Sequence, residues 1–261
     1  MHETSIASPQ PVQARLRPLT GWDEIGLDTD EPSAATALLR RLFVGGDEDV
    51  KAEAVDALTL AEHDRLLAAL FDRLYGDRVE ARSRCVACGE GIEIVFSLAE
   101  LTAATEAMAE IKGPYPDGTY TTADGRRFRP ATVGDLAAAT RIGGQQGLAA
   151  IRAACVVEGD PEAEPDALDA ALETAAPTLS RDVAANCPHC AMTQSLRFDL
   201  PRFLIETLAR ERPFLLREMH LLASTYGWSQ AEIMALTRDD RRMLARLCEA
   251  ERAFTQQRRA A

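Results

Sequence analysis

Cys85-Val86-Ala87-Cys88 opens a run that ends Phe96-Ser97-Leu98, and Cys187-Pro188-His189-Cys190 opens a second that ends Phe198-Asp199-Leu200. In both runs the second Cys, the Phe and the Leu stand at identical offsets. Residues of strand character lie between them: Ile92-Glu93-Ile94-Val95-Phe96 in one run and Ser195-Leu196-Arg197-Phe198 in the other. A Cys-x-x-Cys turn leading into a short strand is a zinc knuckle, because a tight turn aims two thiolates at one metal. Tetrahedral zinc takes four ligands, so two knuckles predict one site built from Cys85, Cys88, Cys187 and Cys190. A compact zinc ribbon has about 15–20 residues between its pairs, whereas roughly a hundred intervene here, so the ribbon is split by an inserted segment. A full set of thiolates leaves no open position for water, which makes the expected cofactor structural Zn2+, one per chain.

Other readings of the same cysteines compete. Cys-Pro-His-Cys is also the active-site tetrapeptide of some thiol oxidants, which points to a thiol–disulfide oxidoreductase using Cys187 and Cys190. That chemistry wants a helix directly after the motif to lower the thiolate pKa, and Ala191 to Phe198 reads closer to a hairpin. A redox motif also gives no reason for a second Cys-x-x-Cys with matching downstream spacing. The plainest alternatives are reduced buried thiols or a disulfide. His189 reads as an exposed loop residue and not as a ligand.

The 261 residues suffice for one large domain or two small ones. Ala, Leu, Arg, Asp and Glu dominate, and aromatics make up only 5%, a mixture that reads as mainly helical. A net charge of -12 argues against nucleic acid as a partner. The basic stretch Arg126-Arg127-Phe128-Arg129 keeps a zinc-ribbon nucleic-acid-binding regulator as an alternative. No apolar run approaches a membrane span, so no membrane partner is expected. The N-terminal residues carry no basic segment followed by an apolar one, which predicts a cytoplasmic location. Cys155 and Cys248 fall in helical patterns and read as small buried hydrophobes.

These patterns predict an α+β chain, mostly α-helical, with a small split zinc ribbon on short β-hairpins. The regions are an N-terminal helical region over 1–80, the ribbon over 81–100 and 185–200, an α-rich insertion with one β-hairpin over 101–184, and a C-terminal helical region over 201–261. Residues 1–15 read as a flexible tail. Ser33 caps a helix to about Val44, and Gly45 to Asp49 break it. Thr59 with Glu62 forms a capping box whose helix carries Leu60, His63, Leu67, Leu70, Phe71 and Leu74 on its apolar face and ends at Gly76. His63 reads as a partly buried core residue. A helix from Leu98 to about Ala109 is followed by a hairpin turning at Ala123-Asp124-Gly125. Gly143 to Gly147 reads as a connector, because it lacks the Lys-Ser/Thr ending of a phosphate loop. Leu148 to Val157 reads as a helix, and acidic Glu158 to Asp169 as a solvated loop.

Further on, Pro213 separates two helices, Gly227 ends the second, and Ser229 with Glu232 caps a short one. Thr237 with Asp240 starts the last helix, with Met243, Leu244 and Leu247 inward. The corner Tyr226-Gly227-Trp228-Ser229 either packs within the chain, the favoured reading, or anchors a partner through Tyr226, Trp228 and Met234. No nucleophile elbow, no His-Glu-x-x-His and no phosphate loop is present, so no enzyme activity is expected.

Leu216-Arg217-Glu218-Met219-His220-Leu221-Leu222-Ala223-Ser224-Thr225-Tyr226-Gly227-Trp228-Ser229-Gln230-Ala231-Glu232-Ile233-Met234-Ala235-Leu236 resembles the C-terminal signature of the T-even phage family of baseplate hub assembly chaperones. Members of that family also occur with bacterial contractile injection systems. The stretch from Leu16 to Glu24, the helix ending Leu74-Tyr75-Gly76-Asp77-Arg78, and both knuckles are similar to the bacterial members. The resemblance covers most of the chain in order and is weakest over 101–184. It implies a non-enzymatic role in assembling the hub of a contractile, phage tail-like baseplate, with a baseplate hub protein as partner, either transiently or as a retained subunit.

Overall fold

The computed structural model describes residues 15–44, 48–107 and 113–260. The expected tail, apart from Arg15, lies outside the described residues, as do 45–47 and the end of the helix that starts at Leu98. The helices are α1 (Gly21–Ile25), α2 (Ala34–Leu42), α3 (Glu48–Asp56), α4 (Leu60–Tyr75), α5 (Leu98–Ala107), α6 (Val133–Ile142), α7 (Gly144–Cys155), α8 (Pro165–Ala175), α9 (Leu200–Arg210), α10 (Arg212–Tyr226), α11 (Gln230–Ala235) and α12 (Arg238–Ala260). The strands are β1 (Arg78–Arg84), β2 (Gly91–Ser97), β3 (Tyr120–Thr121), β4 (Arg127–Phe128), β5 (Val156–Glu158), β6 (Arg181–Asn186) and β7 (Thr193–Phe198). Helices joined to small antiparallel sheets are the mixed architecture the composition predicts.

The chain divides into two compact units, one over 45–201 and one that joins 15–44 to 202–261. The helical region expected over 1–80 is therefore shared: α1 and α2 belong with the C-terminal helices, and α3 and α4 with the sheets.

In the unit over 45–201, β1 and β2 pair antiparallel from Arg78↔Ser97 to Arg84↔Gly91, and β6 and β7 from Arg181↔Phe198 to Asn186↔Thr193. α4 supplies buried Leu66, Leu67, Leu70 and Phe71 to the core. His63 is buried as expected, with Nδ1 3.4 Å from Asp64 Oδ1, and Asp64 Oδ2 accepts the Leu179 amide at 2.8 Å. Three local expectations need correction. Glu48 and Asp49 do not break a helix but open α3, a helix start that acidic residues favour through the helix dipole. Gly143, at φ 76°, is the only break in the glycine run, and α7 starts at Gly144. Gly147 lies inside that helix because a Cβ there would stand 2.5 Å from the Ala139 carbonyl oxygen, an approach of α6 to α7 that only glycine allows. The helix expected through Val157 stops at Cys155. The Arg129 amide donates to the Cys155 carbonyl at 2.9 Å, and β-branched Val156 then pairs with Phe128 as a third strand. The acidic loop is also less free than it reads, since buried Arg152 pairs with Glu162 and Asp169, and buried Arg126 donates to the Ala163 carbonyl.

One corner occurs in both units. In the first, Thr59 and Thr132 pair antiparallel as α4 and α6 begin, with the Leu60 amide donating to the Ala131 carbonyl at 3.0 Å. Arg129 holds both Asp135 oxygens at 2.7 and 3.0 Å, and Asp135 accepts the Thr132 amide and hydroxyl at 2.9 Å each. In the second, Thr20 and Thr237 pair in the same sense, and the Arg238 amide donates to the Leu19 carbonyl at 2.8 Å. Arg17 holds Asp23 at 2.6 and 2.8 Å, and Asp23 accepts the Thr20 amide and hydroxyl at 2.8 and 2.9 Å. The sequence behind it is Arg-Pro-x-Thr-x-x-Asp at 17–23 and again at 129–135. Burial raises both carboxyls, but the Arg and Thr donors outweigh it and hold Asp23 and Asp135 below their ordinary values.

In the second unit, α10 packs against α11 and α12, and α1 against α10 and α11. Leu221, Leu222, Ile233, Ala245 and Cys248 form the core. Pro213 sits at the start of α10 and Gly227 ends it with φ 70°, as expected. Met243 and Leu247 do not point inward as expected: they are 61% and 52% exposed. The inward face of α12 carries Arg241, Ala245 and Cys248 instead. Glu24 accepts hydrogen bonds from both Arg238 and Arg241; Arg238 also binds Glu211, and Arg241 Nε donates to Glu218 at 2.8 Å. A reading that counts apolar side chains cannot place a helix face that is buried through neutralised arginines.

Candidate metal centre

The two Cys-x-x-Cys motifs are the turns of the hairpins β1–β2 and β6–β7, and they fold alike. The Cys85 amide donates to the Glu90 carbonyl at 2.8 Å and the Gly89 amide to the Cys85 carbonyl at 2.9 Å. In the other turn the Cys187 amide donates to the Met192 carbonyl and the Ala191 amide to the Cys187 carbonyl, both at 2.9 Å. The residue after the second Cys is left-handed in both, Gly89 at φ 75° and Ala191 at φ 59°. This tight turn presents both sulfurs of a pair on one side.

The structure brings all four expected cysteines together. Cys85 Sγ lies 3.6 Å from Cys190 Sγ, Cys88 Sγ lies 3.7 Å from Cys187 Sγ, and all four sulfurs fall within 4.8 Å of one another. These separations are far from the about 2.05 Å of a disulfide. A metal–sulfur bond of about 2.3 Å implies a tetrahedral edge of about 3.8 Å, which the two short separations match. The donor set fits a metal ion.

The charge state asks for one as well. The Cys88 and Ala87 amides aim at the Cys85 sulfur and lower its pKa to about 6. At Cys88 the Glu90 amide draws the thiol down, but burial and the neighbouring sulfurs outweigh it and push it up to about 12. At Cys190 the Met192 amide is likewise outweighed, and the thiol is raised. A thiolate at Cys85 this close suppresses ionisation of Cys88 and Cys190, and a cation at their centre would remove that conflict.

Two features outside the cysteines hold the hairpins together. Gln194, on β7, accepts the Val86 amide at 2.9 Å through Oε1 and donates Nε2 to the Arg84 carbonyl at 3.2 Å, so the second hairpin clamps the turn of the first. Phe96 and Phe198, the residues that mark the repeat, meet edge to face at 5.0 Å. Ile92 and Ile94 pack with Cys85 and Cys187 beneath the site. Gln194 escaped the sequence reading. Its signal is that it occupies the position of Ile92 in the first run, a polar residue where the strand pattern calls for an inward apolar one. His189 is exposed and outside the sulfur set, as expected.

At the corner, Tyr226 and Trp228 stack at 4.9 Å and are 40% and 36% exposed. Met234 is fully buried over Gly21 and cannot flank a partner surface. Each arginine of the basic stretch is held by a carboxylate: Arg126 by Asp124, Arg127 by Asp117 and Glu158, Arg129 by Asp135. Among the described residues no helix is long and apolar enough to cross a membrane. Compared with protein-family models, with curated proteins and with solved structures, the chain matches none.

Proposed function

We propose that Cys85, Cys88, Cys187 and Cys190 hold one structural zinc ion as a split zinc ribbon, in a non-enzymatic cytoplasmic protein that serves baseplate hub assembly in a contractile tail-like system. The observation that carries the metal is four sulfurs within 4.8 Å of one another, two of their separations at 3.6 and 3.7 Å, on two turns of the same build. When bound there, zinc supplies a cross-link and no reactive position, because all its ligands are protein thiolates. The hub reading rests on the resemblance over Leu216 to Leu236. It is supported by the exposed Tyr226–Trp228 stack in that stretch, since open aromatic pairs are the usual anchors of protein interfaces.

The competing readings find less support. A thiol oxidant wants a helix after Cys190, and β7 stands there. A nucleic-acid regulator wants free cationic side chains, and the one basic stretch is neutralised within the chain.

Co-expression with a baseplate hub subunit from the same gene cluster tests the partner. Trp228→Ala should weaken co-purification while the chain keeps its metal, and truncation after Arg212 should abolish it. A truncated protein that folds and still binds the hub would remove the C-terminal surface from the proposal. Rapid alkylation of Cys187 in metal-loaded protein, together with disulfide reductase activity, would replace the zinc reading with the redox one.

A further inference from the structure

The two related corners allow α12 to be compared with α4, because Thr237 takes the place of Thr59. On that alignment the inward residues correspond: Arg241, Ala245 and Cys248 take the places of His63, Leu67 and Leu70, and all six are buried. The outward positions do not correspond. α4 carries Arg65, Ala69 and Asp72 there, whereas α12 carries Met243, Leu247 and Ala250 and continues the stripe to Phe254. The same frame thus folds with Arg and Asp at two of these positions, and α12 has made the face apolar without burying it. Met243, Leu247 and Phe254 are 61%, 52% and 60% exposed. Every residue from Glu249 to Arg258 is exposed, and this end of α12 is tied to α10 by polar surface contacts, Glu249 with Arg217 at 2.9 Å and Arg252 with Thr225 at 3.2 Å, with no apolar side chain buried. An isolated helix shorter than about 12–15 residues is marginal in water.

The spacing of the stripe, 243, 247, 250 and 254, alternates steps of four and three, the seam of a two-stranded coiled coil. The flanking charges name the occupant. In a parallel, in-register pair, Arg246 of one helix meets Glu251 of the other, twice by symmetry. An antiparallel pair would set Arg246 toward Arg246 or Ala253 and Glu251 toward Glu251 or Leu244. Among the described residues neither Arg246 nor Glu251 forms an ion pair. We propose that α12 pairs in parallel with α12 of a second copy of this chain, through Met243, Leu247, Ala250 and Phe254, with Arg246 and Glu251 setting the orientation.

Sedimentation equilibrium of the metal-loaded full chain reads the pairing. The wild type should dimerise across the micromolar range, and Leu247→Glu and Phe254→Glu should each give a monomer of unchanged helix content. Arg246→Glu sets Glu against Glu at both contacts and should weaken the dimer by roughly tenfold. Adding Glu251→Arg should restore it, a test that leaves the apolar stripe intact. Ala250→Cys should cross-link 250 to 250 under mild oxidation. A monomeric wild type, a dimer indifferent to Leu247→Glu, or no rescue by the charge swap would overturn the proposal. So would a monomer whose stripe variants lose a co-expressed hub subunit, which would assign the face to that partner.

Discussion

The corner at Thr59 and Thr132 and the corner at Thr20 and Thr237 are built alike, but the units around them are closed with opposite chemistry. Over 45–201 distant segments meet at four sulfurs, a set that could hold a metal ion and, as the proposed ligands, would all bear negative charge around it. In the other unit the joint is Glu24 between Arg238 and Arg241, side chains 3% and 1% exposed, and the chain itself supplies both signs. On the zinc proposal the first joint is conditional on metal and proton activity. The second is unconditional, but it tolerates the loss of no member, because a buried charge without its partner is strongly destabilising. A shared local device therefore leaves open how a unit is held together over long range.

The largest effect should come from breaking the thiolate joint. Cys85→Ser and Cys187→Ser should each lose the equimolar zinc, removing a contribution on the order of 10 kcal/mol to folding. Chelation should then strip amide-exchange protection from β1, β2, β6 and β7 while α10 and α12 keep theirs. Loss of protection in both units together would break the comparison. Next comes the ionic joint: Glu24→Ala leaves two buried guanidiniums short of a carboxylate and should cost about 3–5 kcal/mol, measured by denaturation at saturating zinc. Metal content should stay at one per chain, and a drop would show that the two closures are coupled.

The shared corner gives a smaller and matched pair of effects. Asp23→Asn and Asp135→Asn should each cost about 1–2 kcal/mol by loosening a charge-assisted cap. Both carboxyls titrate below their ordinary range when folded. Each contribution is therefore complete above the unfolded value and is lost as pH falls through the folded one. Acid titrations of the two variants should flatten over that same window, and a difference between them would show that the corners are alike in geometry only. The smallest effect separates the two hairpins. Ala191 holds a left-handed backbone that Gly89 holds without strain, so Ala191→Gly should stabilise by about 0.5–1 kcal/mol with zinc retained, and Gly89→Ala should do the reverse.

The four-cysteine cluster was legible because its signal is covalent spacing: Cys, Cys, Phe and Leu at fixed offsets survive any packing arrangement. Capped helix starts at Thr59 and Ser229 were legible for a similar reason, since a cap is read within four residues. What polarity patterns hid was of another kind. The inward face of α12 holds Arg241, which counts as polar until Glu24 and Glu218 are placed around it by the fold. β5 was hidden because Val156 and Val157 continue a helical run and become a strand only through the pairing of Phe128 with Val156. The repeated corner escaped since its two halves occur in opposite order along the chain, Thr20 before Thr237 but Thr132 after Thr59.

The separation of the two cysteine pairs also has a consequence in time. Cys88 and Cys187 lie 99 positions apart, and a chain emerging at about 5–20 residues per second exposes the first pair roughly 5–20 s before the second. Through that interval the nascent protein carries half of the proposed zinc site, open to oxidation and to the wrong metal. The intervening residues, with their own helices and the sheet of β3, β4 and β5, can condense meanwhile and deliver the second hairpin to a waiting first one.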